Sequence, residues 1–286
     1  MLHGQSNLAP MPEFEVLPLL QTPTIGVRDV VCAGTHRHLS DEERSSATEL
    51  VFPYRGTYVV HVGDEEAVAD ASQVLFFNRG ECYRVSHPNP GGDASLVVSV
   101  DETLLREIAP PPLLRQGDVF AFRLHRLRID ARAQVLVALL RHSVREGIAE
   151  PLEGESLALT LVQRALGPRT THAAASSVVR QRLVDRAKIV LMRDLARRWT
   201  LADVASEVGV SPVYLTQSFQ QVEGLPLYRY QLRLRLARAL DLLSVYEDLT
   251  ALGLELGFSS HSHFSAAFQQ AYGRSPSEFR QSALRR

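Results

Sequence analysis

Two short stretches carry side chains at a spacing that suits hydrogen bonding to base edges. In the first, Val213, Tyr214, Thr216, Gln217 and Gln220 fall on one side of a helix that starts at Ser211-Pro212. Its other side carries Leu215, Phe219 and Val222, at the 3.6-residue period of a buried stripe. In the second, His261, Ser262, Ser265, Ala266 and Gln269 lie opposite Phe264, Phe268 and Tyr272. A face kept only for solubility usually carries Glu, Lys or Arg; these faces are almost uncharged. The Gln217 amide can bond adenine through two hydrogen bonds, and apolar atoms can meet thymine methyls. His263 sits nearer the inner side and is expected to pack.

A second group could hold a metal ion. His36, His38, Glu49 and His87 offer imidazole and carboxylate donors, and Cys32 and Cys82 offer thiolates that suit zinc. The interval from His38 to Glu49 is long for one site, and scattered His and Cys without tight spacing are poor metal evidence. The expectation is therefore no metal and no cofactor.

The outward faces need helices to position them, and the sequence supplies these twice. Leu201–Gly224 and Leu249–Gly273 each read as a helix, a Gly turn, a second helix ending in Phe-Gln-Gln, and a Gly stop. Thr200 caps the first helix with Asp203 at the capping-box position. Leu201, Val204, Ala205 and Val208 form its stripe, Gly209 turns the chain, and Ser211-Pro212 restarts it. In the second copy Asp248 caps, Leu249, Leu252 and Leu256 form the stripe, and Gly257 turns. Between the copies, Leu227–Leu243 contains neither Gly nor Pro. A helix of that length spans about 25 Å. Such a rigid spacer could hold two helices in successive major grooves, whose repeat is about 34 Å. Arg235, on this spacer, is expected to touch phosphate.

From Val178 to Arg286 the chain resembles the DNA-binding domain of the AraC/XylS family of bacterial transcription regulators. The resemblance rests on Gly257-Phe258-Ser259, His263-Phe264-Ser265, Phe268, Gly273, Pro276 and Phe279. The first copy adds Ala205, Gly209, Ser211, Leu215, Phe219, Gly224 and Tyr230, and the spacer adds Arg235-Leu236. It implies base reading by Val213, Thr216 and Gln217, and by His261, Ser262, Ser265 and Ala266. Family members often carry Arg where Gln217 and Ala266 stand here, which implies readout through amide, hydroxyl and methyl groups and a weaker second helix.

The expected fold is α+β. Residues 1–166 form a β-barrel of the cupin-like jelly-roll kind with covering helices. Residues 167–177 (GPRTTHAAASS) link them to an all-α domain over 178–286. Strand patterns fall at Leu50–Tyr54, Thr57–Val62, Val74–Phe77, Cys82–Val85, Leu96–Val100 and Val119–Leu124, separated by turn residues. Glu49, Gly56 and Asn78-Arg79-Gly80-Glu81 sit roughly where a cupin-like sensor domain, often joined to AraC-type domains, would place them. Tyr58, Phe76 and Tyr83 are candidate lining for a small-molecule effector. Helical stripes at Val135, Leu136, Leu139, Leu140 and Val144, and at Leu157, Leu161, Val162 and Leu166, either pair two subunits or cover their own barrel. Pairing, hence a homodimer, is the preferred reading.

Charge divides the same way. Residues 178–286 are net +5 and the remainder is net −6, so the helical half suits phosphate. The first 23 residues lack a basic n-region and a long apolar run, which argues against a signal peptide and for the cytoplasm. The resulting expectation is a non-enzymatic regulator of promoter DNA working with RNA polymerase, an activator or a repressor. A rival is a cupin-type metalloenzyme using His36, His38, Glu49 and His87. A third reading is a DNA binder without sequence preference.

Overall fold

In the computed structural model, which describes residues 14–34, 37–167 and 177–283, the first part of the chain forms two antiparallel sheets. The larger runs β1 (Phe14–Gln21), β2 (Ile25–Cys32), β9 (Asp93–Val100), β4 (Glu49–Arg55), β7 (Gln73–Phe77) and β10 (Arg126–Arg128). The smaller runs β3 (Glu43–Arg44), β8 (Cys82–Ser86), β5 (Tyr58–Val62) and β6 (Glu65–Ala69). Their ladders stay separate, so among the described residues the sheets do not close into one continuous barrel.

Strand alternation explains how the large sheet serves two layers. Val51, Leu75, Phe77 and Val97 face the small sheet and pack with Tyr58, Val60, Ala67 and Ala69. Leu50, Phe52, Val74, Phe76, Leu96 and Val98 face the opposite way. That second layer is closed by α1 (Glu102–Ile108), α2 (Ala131–Arg145) and α3 (Pro151–Leu166).

Three features add to or depart from the sequence reading. Phe14–Gln21 is a strand although Pro18 lies within it; β1 is an edge strand and its register shifts between Pro18 and Leu20, where a missing N–H is tolerated. Val119–Leu124 is not a strand. The Phe122 N–H donates to the Asn78 side chain at 2.7 Å and its carbonyl accepts from the Asn78 amide at 3.2 Å, which leaves only an isolated bridge to Leu114. The ladder partner of β7 is instead Arg126–Arg128. Finally, the helical stripes, read as pairing two subunits or else covering their own barrel, pack within the chain. Leu157, Leu161, Val162 and Leu166 pack on their own sheet, whereas Val135, Ala138 and Leu139 of α2 meet the C-terminal helices.

The C-terminal part is helical: α4 (Val178–Arg193), α5 (Leu201–Val208), α6 (Pro212–Glu223), α7 (Leu227–Leu242), α8 (Leu249–Glu255), α9 (His261–Tyr272) and α10 (Pro276–Ala283). It has two apolar cores. Leu183, Val184, Val204, Leu215, Phe219 and Tyr230 belong to the first; Leu240, Leu252, Phe258, Phe264, Phe268 and Phe279 belong to the second. The α7 helix contributes to both. The proposed linker falls almost wholly on residues 168–176, outside the described residues. No described helix is long and apolar enough to cross a membrane.

Candidate nucleic-acid interface

The α5–α6 unit forms as its residues dictate. Thr200 and Asp203 make a reciprocal capping box, and Gly209 takes φ +73°. Ser211 then caps α6 by accepting from the Tyr214 N–H at 3.2 Å. Leu215, Phe219 and Val222 are buried, which turns Val213, Tyr214, Thr216, Gln217 and Gln220 to solvent. Val213 is 67% exposed, unusual for a valine with a core nearby. The Thr216 hydroxyl donates to the Pro212 carbonyl at 2.9 Å, so its hydrogen is spent on its own helix while the side chain stays exposed.

The α8–α9 unit repeats the arrangement. Ser260 caps α9 by accepting from the His263 N–H at 3.2 Å. His261, Ser262, Ala266 and Gln269 are exposed and Ser265 is half-buried, its hydroxyl 3.2 Å from His261 Nε2. His263 is exposed rather than packed inside; its ring stands edge-on to Phe258 and its Nδ1 lies 3.1 Å from the Ser259 hydroxyl.

Both units are anchored on α7. Phe219 of α6 meets Tyr230 at 5.2 Å between ring centroids, and α9 packs with Leu236, Ala239 and Leu240 further along. Tyr230 and Leu240 are about 15 Å apart along a helix axis. The sixteen residues of α7 span about 24 Å, close to the spacer expected.

Arg235 requires a correction. It is buried, and its guanidinium donates to the carbonyls of Leu195 (2.8 Å), Ala196 (2.9 Å), Arg197 (2.8 Å) and Gly257 (3.1 Å). The first three lie in the connection before α5 and the last in the α8–α9 turn. Arg235 therefore fastens the two units together and is not placed to meet a phosphate. Burial, with Arg198 nearby, holds its pKa below the ordinary arginine value. The planar fork explains the residue type, since an ammonium could not reach four carbonyls in this fashion.

Gly257 belongs to the same junction. It takes φ +82°, and a Cβ there would lie 2.1 Å from the Ala196 carbonyl oxygen; Gly209, at φ +73°, has open space. Gly209→Ala should lower stability by about 1–2 kcal/mol, the left-handed penalty alone. Gly257→Ala should lower it by about 3 kcal/mol or more, because overpacking adds to that penalty. Denaturant unfolding of the two variants measures the difference, and equal losses would count against a tight junction.

A buried polar cluster joins the helices to the sheet region, and sequence reading did not find it. Lys188 of α4 is fully buried, with Nζ 2.6 Å from Glu223 Oε1 at the end of α6 and 3.9 Å from Asp70 Oδ2 in the β6–β7 turn. Tyr230 donates to Asp70, and Ser72 binds the same carboxylate through its N–H at 2.8 Å. Burial first, then Asp70, raises the Tyr230 pKa well above its ordinary value. The available signal was position. Lys188 lies on the row Val184–Lys188–Leu191 of an otherwise apolar stripe. Arg126 to Asp185 (2.7 and 3.0 Å) and Arg141 to Asp241 (2.5 Å) extend the contact.

The sheet region has its own cavity, of about 340 Å³, between the two sheets. Tyr58 and Tyr83 line it as expected. Phe76 does not; one residue along the strand, Phe77 does, and Phe76 stacks on Phe122 in the other layer at 4.2 Å. Burial raises both tyrosine pKa values. Of the candidate metal ligands, Glu49 pairs with Arg28 at 2.5 Å, and burial raises its pKa against the pull of that arginine. His38 is exposed, and His36 lies outside the described residues. His87 is buried against Asp93, 2.7 Å from its carboxylate. Hydrogen bonding to Asp93, then Cys32, raises the His87 pKa to about 10.

Comparison with known proteins concentrates on the helical part. Residues 204–282 match a helix-turn-helix domain family. The chain is 27% identical over 146 residues to the HTH-type transcriptional regulator GadX of Escherichia coli, covering 51% of this chain and 53% of GadX. It is 30% identical over 158 residues to the HTH-type transcriptional activator RhaR of Klebsiella pneumoniae, covering 53% of this chain and 54% of RhaR. The chain thus spans about half the length of these relatives. A solved transcriptional regulator of Chromobacterium violaceum, described as containing an AraC-type DNA-binding domain, is 30% identical. That match covers 38% of this chain and 98% of that one, with a TM-score of 0.36.

Proposed function

We propose that this chain, whose C-terminal helices form a helix-turn-helix domain of the AraC type, is a sequence-specific regulator of transcription that reads two successive major-groove segments of a promoter. The observation that carries the reading is the pair of serine-capped helices, α6 and α9, with exposed and nearly uncharged outer faces on one shared helix. Helix N-termini and arginines fix the register on phosphates, and Val213, Tyr214, Thr216, Gln217 and Gln220 read one groove. His261, Ser262, Ser265, Ala266 and Gln269 read the next.

In this reading residues 1–166 are a cupin-like jelly-roll sensor, 167–177 a linker and 178–286 the reading domain. The cavity between the sheets receives a small-molecule effector. An effector shifts the equilibrium only if it binds one arrangement of sensor and helices better than another. The Lys188 cluster supports that idea, because it ties the β6–β7 turn to the end of a reading helix. The cytoplasm and RNA polymerase are the corresponding setting and partner.

Footprinting of DNA upstream of the gene and its neighbours locates the site, and Gln217→Ala tests the readout. The variant should lose about 1–3 kcal/mol of binding at that site, with little change on unrelated DNA. An equal loss on every sequence would mean a binder without sequence preference.

A further inference from the structure

Three potential metal donors from separate parts of the sequence meet at the edge of the cavity between the sheets. Cys32 ends β2, His87 follows β8, and Asp93 opens β9. The pairing of β2 with β9 sets Cys32 directly opposite Asp93. His87 Nε2 is 2.7 Å from Asp93 Oδ2, and one ligand atom from each of the three residues lies within 4.8 Å of the others. His87 and Asp93 are 6% and 7% exposed, Cys32 is half-buried, and all three line the cavity.

We infer that Cys32, His87 and Asp93 hold a zinc-type divalent ion, with its fourth coordination position open to the cavity.

The donor set selects the ion. One thiolate, one imidazole and one carboxylate suit zinc, whereas magnesium and calcium take oxygen ligands. Zinc binds such donors at about 2.0–2.3 Å in tetrahedral geometry, so two of them stand about 3.3–3.8 Å apart. The three ligand atoms lie within 4.8 Å of one another; binding an ion draws Cys32 in, opens the 2.7 Å contact between His87 and Asp93, and displaces the imidazole proton to solvent. Surrounding groups orient the donors: the Gly34 N–H points at Cys32 Sγ (3.4 Å), and the Tyr58 ring stands 6.3 Å from the His87 ring. Three protein ligands beside a cavity match a site that keeps a position for water or a bound molecule, rather than a closed structural site. This arrangement differs from the set His36, His38, Glu49 and His87 suggested by sequence. It places the ion where β2, β9 and the β8–β9 turn converge, and it retains only His87 from that set.

The test is zinc analysis of the full, tag-free chain, followed by titration of the metal-free protein with Co(II). The expected result is about one ion per chain and a strong thiolate-to-cobalt charge-transfer band. Cys32→Ser should abolish the band and weaken zinc binding at least about tenfold, and His87→Gln and Asp93→Asn should also weaken it. Cys82→Ser should leave both readings unchanged. If the wild-type chain shows no thiolate band at saturating Co(II), the inference fails without reference to any variant. It also fails if the band survives in Cys32→Ser or disappears in Cys82→Ser. Circular dichroism of each variant separates a lost ligand from a lost fold.

Discussion

Lys188→Met is expected to lower the stability of this chain by about 3–5 kcal/mol, the range for breaking a buried ion pair from one side. The methionine fills a similar volume, so the loss comes from charge rather than from a hole. It strands Glu223, which is almost fully buried 2.6 Å from the ammonium, and removes a cation near Asp70. Asp70 retains the Tyr230 hydroxyl and the Ser72 N–H, so most of the damage falls on Glu223 at the end of α6. Removing both partners should therefore be milder than removing one. In Lys188→Met with Glu223→Met a large part of the loss should return, because a buried pair replaced by apolar groups is often neutral. Denaturant unfolding of the two single variants and the double variant completes the cycle. A loss below about 1 kcal/mol for Lys188→Met, the value of an exposed pair, would contradict the buried cluster. The result also bears on the proposed coupling, since the cluster is where the β6–β7 turn meets the end of α6.

The second large effect is expected at Arg235. Arg235→Ala removes the donor from four backbone carbonyls, and each buried acceptor left unpaired costs about 1–3 kcal/mol. Water can reach part of this junction, so a total of about 3 kcal/mol or more is expected rather than four full penalties. Arg235→Lys should recover little, because an ammonium on a flexible stem cannot reproduce the planar fork. The DNA result distinguishes this role from a phosphate contact. If Arg235 only fastens the two units, the folded fraction of Arg235→Ala should bind with the wild-type dependence on salt. Loss of a phosphate contact would instead reduce the salt slope by about 0.9. A stable variant with such a reduced slope would restore the phosphate role.

What the sequence determined by itself was local. The capping box at Thr200 and Asp203, the left-handed turns at Gly209 and Gly257, and the serine and proline that start α6 act within a few residues. The amphipathic periods of α6 and α9 are local too, so the outward positions followed once the inward ones were known. The family resemblance of the helical part rested in part on these turns and stripes, and in part on Tyr230 and Arg235, whose partners are distant.

Only the tertiary structure decided the roles that depend on distant partners. Arg235 reads as a surface cation until the connection before α5 folds onto it. Lys188 reads as a helix charge until Asp70 and Glu223 arrive from the β6–β7 turn and the end of α6. Cys32, His87 and Asp93 are scattered along the chain, and the β2–β9 register and the β8–β9 turn bring them together. The edge strand containing Pro18, and the side of β7 that lines the cavity, were fixed by pairing with neighbours. The physical reason is the range of each interaction. Propensity, capping and hydrophobic period act over one or two turns of chain, whereas a buried charge or a shared ion is satisfied only by groups that the finished fold brings within a few ångströms.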